Sequence, residues 1–176
     1  MLPRSTRNGI ALGATQRYCC VVVPSLVILP GLLEGILSPG MHFASLREVQ
    51  ENFVYNEHRA WLFQGFLLAC LELRRFGCGR LYLGGSFVTS KEFPGDYDAC
   101  WDPAGVSAEV DPLLWDDTLR FEQNRKYRGD VLVSAAGDGA EHRHFQFLCH
   151  DKATGAPKGI LGVKLRMVEI LNMTAS

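Results

Sequence analysis

The chain's 176 residues suit one domain with short appendages, not two independent units. Hydrophobic side chains make up 47% of it, enough for a sizeable core, which excludes a globally disordered chain. Its 18 basic and 19 acidic residues leave a net charge of −1, so the basic excess of an extended nucleic-acid surface is missing and any polynucleotide contact is local.

At the N-terminus, Arg4, Arg7 and Arg17 precede an apolar run from Cys19 to Leu33, the order of a secretory signal. Pro24, Pro30 and Gly31 break that run, no small-residue cleavage site follows, and it is too short to span a membrane. The reading is a loose leader over residues 1–28 and a single domain over 29–176. Cys19, Cys20, Cys70, Cys78, Cys100 and Cys149 contain no C-x-x-C pair, and Cys70 and Cys100 sit in apolar stretches as small hydrophobes. No disulfide framework is expected, and the expected compartment is the reducing cytoplasm.

Ser38-Pro39-Gly40 is a loop, and Ser45-x-x-Glu48 reads as a capping box opening a short helix. A second helix is predicted from Asn56 to Phe76, apolar round most of its circumference and stopped by Gly77. Strands follow at 80–83 and 98–101. Asp111-Pro112 supplies an N-cap with proline at the first helical position, predicting a helix over about 112–126. The run 130–134 reads as a buried strand, and 144–149 and 160–165 as two strands joined by a turn at 151–158. The order predicts an α+β (α/β-like) fold, a mixed β-sheet packed against helices. Asn172-Met173-Thr174 matches a glycosylation sequon, which a cytoplasmic protein leaves unused.

The chemistry concentrates in the middle of the chain. Leu83-Gly84-Gly85-Ser86 ends a strand in bare backbone, where N–H groups and a hydroxyl can approach an anion; alone, it is equally a plain strand-to-helix turn. It is not a Walker loop, because the GK[ST] ending is missing. Asp96 and Asp98 are two apart, so both carboxylates project to one face, where like charges repel unless a cation lies between them. Hard oxygen donors in this arrangement suit Mg²⁺. Asp130 heads the strand Val131-Leu132-Val133; if that strand lies beside the first two, a third carboxylate joins the same edge. Such a site can hold two metal ions about 4 Å apart for in-line phosphoryl displacement. Taken singly, Asp96 is equally a turn residue after Pro94-Gly95, and Asp130 a loop residue after Gly129.

Gly85-Ser86, nine residues, then Asp96-Tyr97-Asp98-Ala99 resembles the hG[GS]…DhDh pattern of the DNA polymerase β-like nucleotidyltransferase superfamily. The string from Leu81 to Asp102 is similar to a largely uncharacterised bacterial family of small, minimal-nucleotidyltransferase-like proteins within it. The likeness extends over about 29–166, including Leu37-Ser38-Pro39-Gly40 and Lys158-Gly159-Ile160. The resemblance implies a nucleotidyltransferase fold, with Gly84, Gly85 and Ser86 holding the nucleoside triphosphate. It implies Asp96, Asp98 and Asp130 as metal ligands, and Asp130 as the carboxylate that activates the acceptor hydroxyl. The implied activity is Mg²⁺-dependent transfer of a nucleoside monophosphate from an NTP to a hydroxyl on protein or RNA. Nothing downstream looks like the helical domain that grips base and acceptor in larger members. Small relatives often act beside a partner protein, as in toxin–antitoxin or phage-defence pairs, so the alternative is a non-catalytic nucleotide-binding or regulatory module.

Other residues carry less. Lys91 lies between the turn and the aspartates, placed either to neutralise a phosphate or as a solvated loop lysine. Thr89 and Ser90 read as caps of the turn. His142, His144, Cys149 and His150 match no zinc framework, although His144 is a candidate substrate contact. Asp102 is the alternative to Asp130, and Asp116 and Asp117 read as a solvated face.

Overall fold

A computed structural model of the chain describes residues 36–134, 147–152 and 154–174. The predicted leader, His142 and His144 lie outside the described residues.

Local capping starts the helices where the sequence predicts. Ser45 accepts from the Glu48 amide while the Glu48 carboxylate accepts from the Ser45 amide at 2.7 Å, which opens α1 (Leu46–Phe53). Asn56 caps α2 (Glu57–Arg75) by accepting from the Arg59 amide, and Gly77, with φ of +107°, follows its end. Leu62, Phe66, Cys70 and Leu73 face the core, but Trp61 and Leu68 are exposed, so burial covers less of the helix than expected.

Five strands, β1 (Gly40–Ala44), β2 (Arg80–Gly84), β3 (Asp98–Trp101), β4 (Asp130–Val133) and β5 (Gly159–Lys164), form one mixed sheet ordered β1-β5-β2-β3-β4. The two outer pairs, β1/β5 and β3/β4, are parallel, while β2 runs antiparallel to both of its neighbours. Alternation then divides the sheet. Leu81, Leu83, Ala99, Trp101, Val131, Leu161 and Val163 point into the main core beneath α1 and α2. Cys100, Leu132 and Ile160 point the other way and meet Leu148 in a smaller apolar cluster. Edge strand β4 is closed by Gln123 of α3 (Arg120–Tyr127), whose carboxamide donates to the Val131 carbonyl and accepts from its amide, both at 2.9 Å.

Three predicted elements are corrected, and one is added. The helix over 112–126 divides into 3₁₀ turns at Pro112–Leu114 and Asp117–Leu119 and then α3, because Asp116 caps a new start by accepting from the Thr118 amide and hydroxyl. Residues 147 and 148 are helical, not strand, although His150 does bridge Pro157 across the predicted turn. Gly40, read as the end of a loop, opens β1, which, like α4 (Met167–Thr174), was not predicted.

Two glycines mark backbone contacts. A Cβ on Gly65 of α2 would lie 2.0 Å from the Tyr127 carbonyl oxygen, and one on Gly129 would lie 2.5 Å from the Tyr97 ring. One buried cation joins α1, α2 and the segment after β2. Arg59, fully buried, donates from Nε to the Phe53 carbonyl, from one terminal nitrogen to the Phe87 carbonyl, and from the other to the Lys91 carbonyl at 2.6 Å. Burial lowers its pKa from the usual arginine value. Replacing Arg59 by methionine keeps the bulk but takes the guanidinium donors from three carbonyls, of which that of Lys91 keeps the Tyr55 hydroxyl, so Arg59→Met is expected to cost about 3 kcal/mol in urea unfolding. A loss below about 0.5 kcal/mol, the range of a neutral surface change, would contradict that bracing role.

Candidate functional site

The glycine turn and the two strand-borne aspartates meet in one row. Gly84 closes β2 opposite Asp98 of β3, and Asp98 is in turn level with Asp130 of β4. The conditional placement of Asp130 beside the first two strands is therefore what the register gives. After Gly84 the chain enters a 3₁₀ turn over Gly85–Val88. Gly85 has φ of +69°, and a Cβ there would lie 1.7 Å from Asp98 Oδ2, so only glycine lets this turn pass against the carboxylate.

Tyr97 fixes which way its neighbours point. Its ring is fully buried edge-on to Phe66, centroids 5.2 Å apart, and its hydroxyl donates to the Tyr127 carbonyl at 2.9 Å. Asp98, 6% exposed, consequently faces the smaller cluster's side of the sheet, and Asp96 precedes it half-buried. The carboxylates interact. Burial raises the Asp96 pKa, and the charges of Asp98 and Asp130 raise it further against the opposing pull of Lys152 and Lys91.

Cations of the chain engage the other two aspartates. Lys152 Nζ lies 3.6 Å from Asp98 Oδ1. Asn124 donates to Asp130 Oδ1 at 2.8 Å, and Arg120 pairs with its Oδ2 at 3.3 Å. Among the described residues, no group of three or more His, Cys, Asp and Glu side chains converges closely enough to hold a metal ion.

Ser86 is half-buried at the turn, and its carbonyl accepts from the Thr89 hydroxyl at 2.7 Å, so Thr89 acts as the predicted turn cap. Lys91 is exposed; its charge reaches Asp96, while its carbonyl takes the bond from Arg59. Asp102 lies beyond the opposite end of β3, where it accepts from the Ala104 amide, and does not join the row. Sequence reasoning missed Lys158, which it read as part of a turn. This lysine is 7% exposed; burial lowers its pKa, with Asp98 and Asp151 opposing that shift. Its position immediately before an apolar strand was the available signal.

Two outcomes follow. Gly85→Ala strains the turn and drives a methyl into Asp98, for an expected loss of about 1–3 kcal/mol in denaturant unfolding, whereas Gly95→Ala, with nothing within 4 Å, stays near neutral. Equal stability of the two variants would contradict the close approach. For Asp96, a raised folded-state pKa means that the native state binds the proton more tightly than the unfolded chain, so ionisation at neutral pH opposes folding. Asp96→Asn is expected to raise the melting temperature in metal-free neutral buffer, and the gain should vanish as pH falls below the ordinary carboxylate range. A pH-independent gain would show that charge is not the cause.

No curated protein matches the chain, and no solved structure does. Among the described residues, no helix is long and apolar enough to cross a membrane. One family profile matches residues 32–164, a stretch that holds all five strands and every candidate site residue. The chain therefore belongs to the Family of unknown function (DUF6932).

Proposed function

We propose that the protein is a Mg²⁺-dependent nucleotidyltransferase that moves a nucleoside monophosphate from an NTP to an acceptor hydroxyl. The observation that carries this reading is the row Gly84–Asp98–Asp130 across β2, β3 and β4, with Gly85 packed bare against the Asp98 carboxylate. A glycine turn beside clustered carboxylates matches the two ends of a metal–triphosphate ligand.

The donor set suits a hard divalent cation. Asp96 is penalised by the charges of Asp98 and Asp130, so the cluster carries negative charge that its own lysines only partly offset. The Lys152 partner of Asp98 is a largely exposed side chain, and such surface pairs are worth about 0–1 kcal/mol, little enough for a cation to displace. Asp96, Asp98 and Asp130 do not converge as a ligand set while Lys152 and Arg120 engage them; they would hold the metal as it displaces those partners, and the metal would supply charge neutralisation at the phosphates. Gly85, Ser86 and Lys91 bind the phosphate chain. Asp130, oriented by Asn124 and Arg120, takes the proton of the acceptor hydroxyl. The acceptor oxygen forms its bond to the α-phosphorus as the bond to the bridging α–β oxygen breaks, and pyrophosphate leaves with that electron pair.

A second reading draws on the ion pairs. Lys152 and Arg120 already answer Asp98 and Asp130, as they would in a module that binds nucleotide and regulates a partner protein without turnover. Label transfer from α-labelled NTPs, with and without Mg²⁺, separates the two. Transfer that needs Mg²⁺ and disappears in Asp98→Ala is the expected result. Equal labelling by that variant overturns the enzyme, and calorimetric binding of Mg-NTP without product selects the module.

A further inference from the structure

Lysine is almost never fully buried unless its charge is paired. Lys158 strains that rule: the residue is more than nine-tenths buried, its Nζ keeps a narrow opening to solvent, and among the described residues the ammonium makes no hydrogen bond or ion pair. The nearby charges are those of Asp98, Asp151 and Lys152. Asp98 is already paired with Lys152, and Asp151 accepts from the amide and hydroxyl of Thr154 at 2.9 Å.

Main-chain bonds fix where this lysine sits. Its amide donates to the Cys149 carbonyl at 2.8 Å, and the next amide, that of Gly159, donates to the Leu37 carbonyl. The side chain therefore leaves the end of β5 in step with Ile160, on the face that carries Asp98. A Cβ on Gly84 would lie 3.0 Å from that of Leu148, so the segment whose Cys149 carbonyl holds the Lys158 amide packs against the start of the glycine turn. The ammonium thus stands on the β5 side of the glycine turn, as the carboxylates stand on its β3 side. A desolvated cation costs folding free energy unless a counter-charge arrives, and a bound anion is such a counter-charge.

We propose that Lys158, with Lys152, forms an anion subsite that takes the phosphate chain of a polyphosphate ligand between the glycine turn and the bridged pair His150 and Pro157. The proposal rests on the reading of this end of the sheet as a phosphate site, and it assigns the ligand's grip to a residue outside the glycine–aspartate motif.

Inorganic tripolyphosphate is the probe, titrated calorimetrically into the full chain with and without Mg²⁺. Loss of a charge-assisted contact is expected to weaken binding about tenfold or more in Lys158→Met. Lys164→Met, at the exposed far end of the same strand, should bind as the parent does. Lys158→Met should also melt higher than the parent, because an unpaired buried charge is replaced by an apolar chain of similar length. Lys158→Gln supplies the same affinity comparison should the methionine pack poorly. Parent-like binding by both Lys158 variants, or no binding by the parent, overturns the subsite. Lys158-dependent binding in a protein that transfers no label from NTPs upholds the subsite and removes only the enzymatic reading. Mg²⁺-dependent transfer with an unchanged KM in Lys158→Met does the reverse.

Discussion

The guanidinium of Arg59 is the interaction on which the site's geometry depends. It lies fully buried in the first turns of α2 and gathers three carbonyls from separate places: the end of α1, the 3₁₀ turn after β2, and the loop before the aspartates. The Lys91 carbonyl also accepts from the Tyr55 hydroxyl at 3.2 Å, whereas a buried carbonyl left without its donor costs about 1–3 kcal/mol. The rings of Tyr55 and Phe87 lie 4.6 and 4.7 Å from its carbon centre, closing it off from water while keeping a favourable environment for charge. One side chain thereby ties the glycine turn to the helix that packs beneath the sheet.

The two faces of the sheet are built for different work. The main core, from Leu46 and Phe53 to Val163 and Ile170, is continuous and apolar. The opposite face has a thin cover, Leu148 over Cys100, Leu132 and Ile160, and beside that cluster lie two carboxylates and a buried lysine. Unlike charges drawn into a partly desolvated corner interact more strongly than at the surface, and their unbalanced remainder is what a ligand meets.

Much of the fold was legible because its signals are local. The capping box at Ser45, the Asn56 cap, the Gly77 stop and the Asp111-Pro112 start each involve residues within one turn, and each lies where the sequence placed it. The row of Gly84, Asp98 and Asp130 was legible only conditionally, since strand adjacency is a long-range fact that spacing does not carry. The strand β1 escaped notice because its stability comes from pairing with β5, more than a hundred residues away. Arg59 and Lys158 were invisible for a related reason: a charged residue reads as exposed until the carbonyls or carboxylates around it are known.

Gly65 and Gly129 set a tolerance. At both, a peptide group or a rigid ring occupies the space where a side chain would start, so the approach to Asp130 is gauged by parts that have no rotamers to change. The carboxylate end of the sheet is held as in a jig. The ladder sets Asp98 level with Asp130, and a side chain added at Gly65 or Gly129 would press on the peptide or ring that flanks that pair.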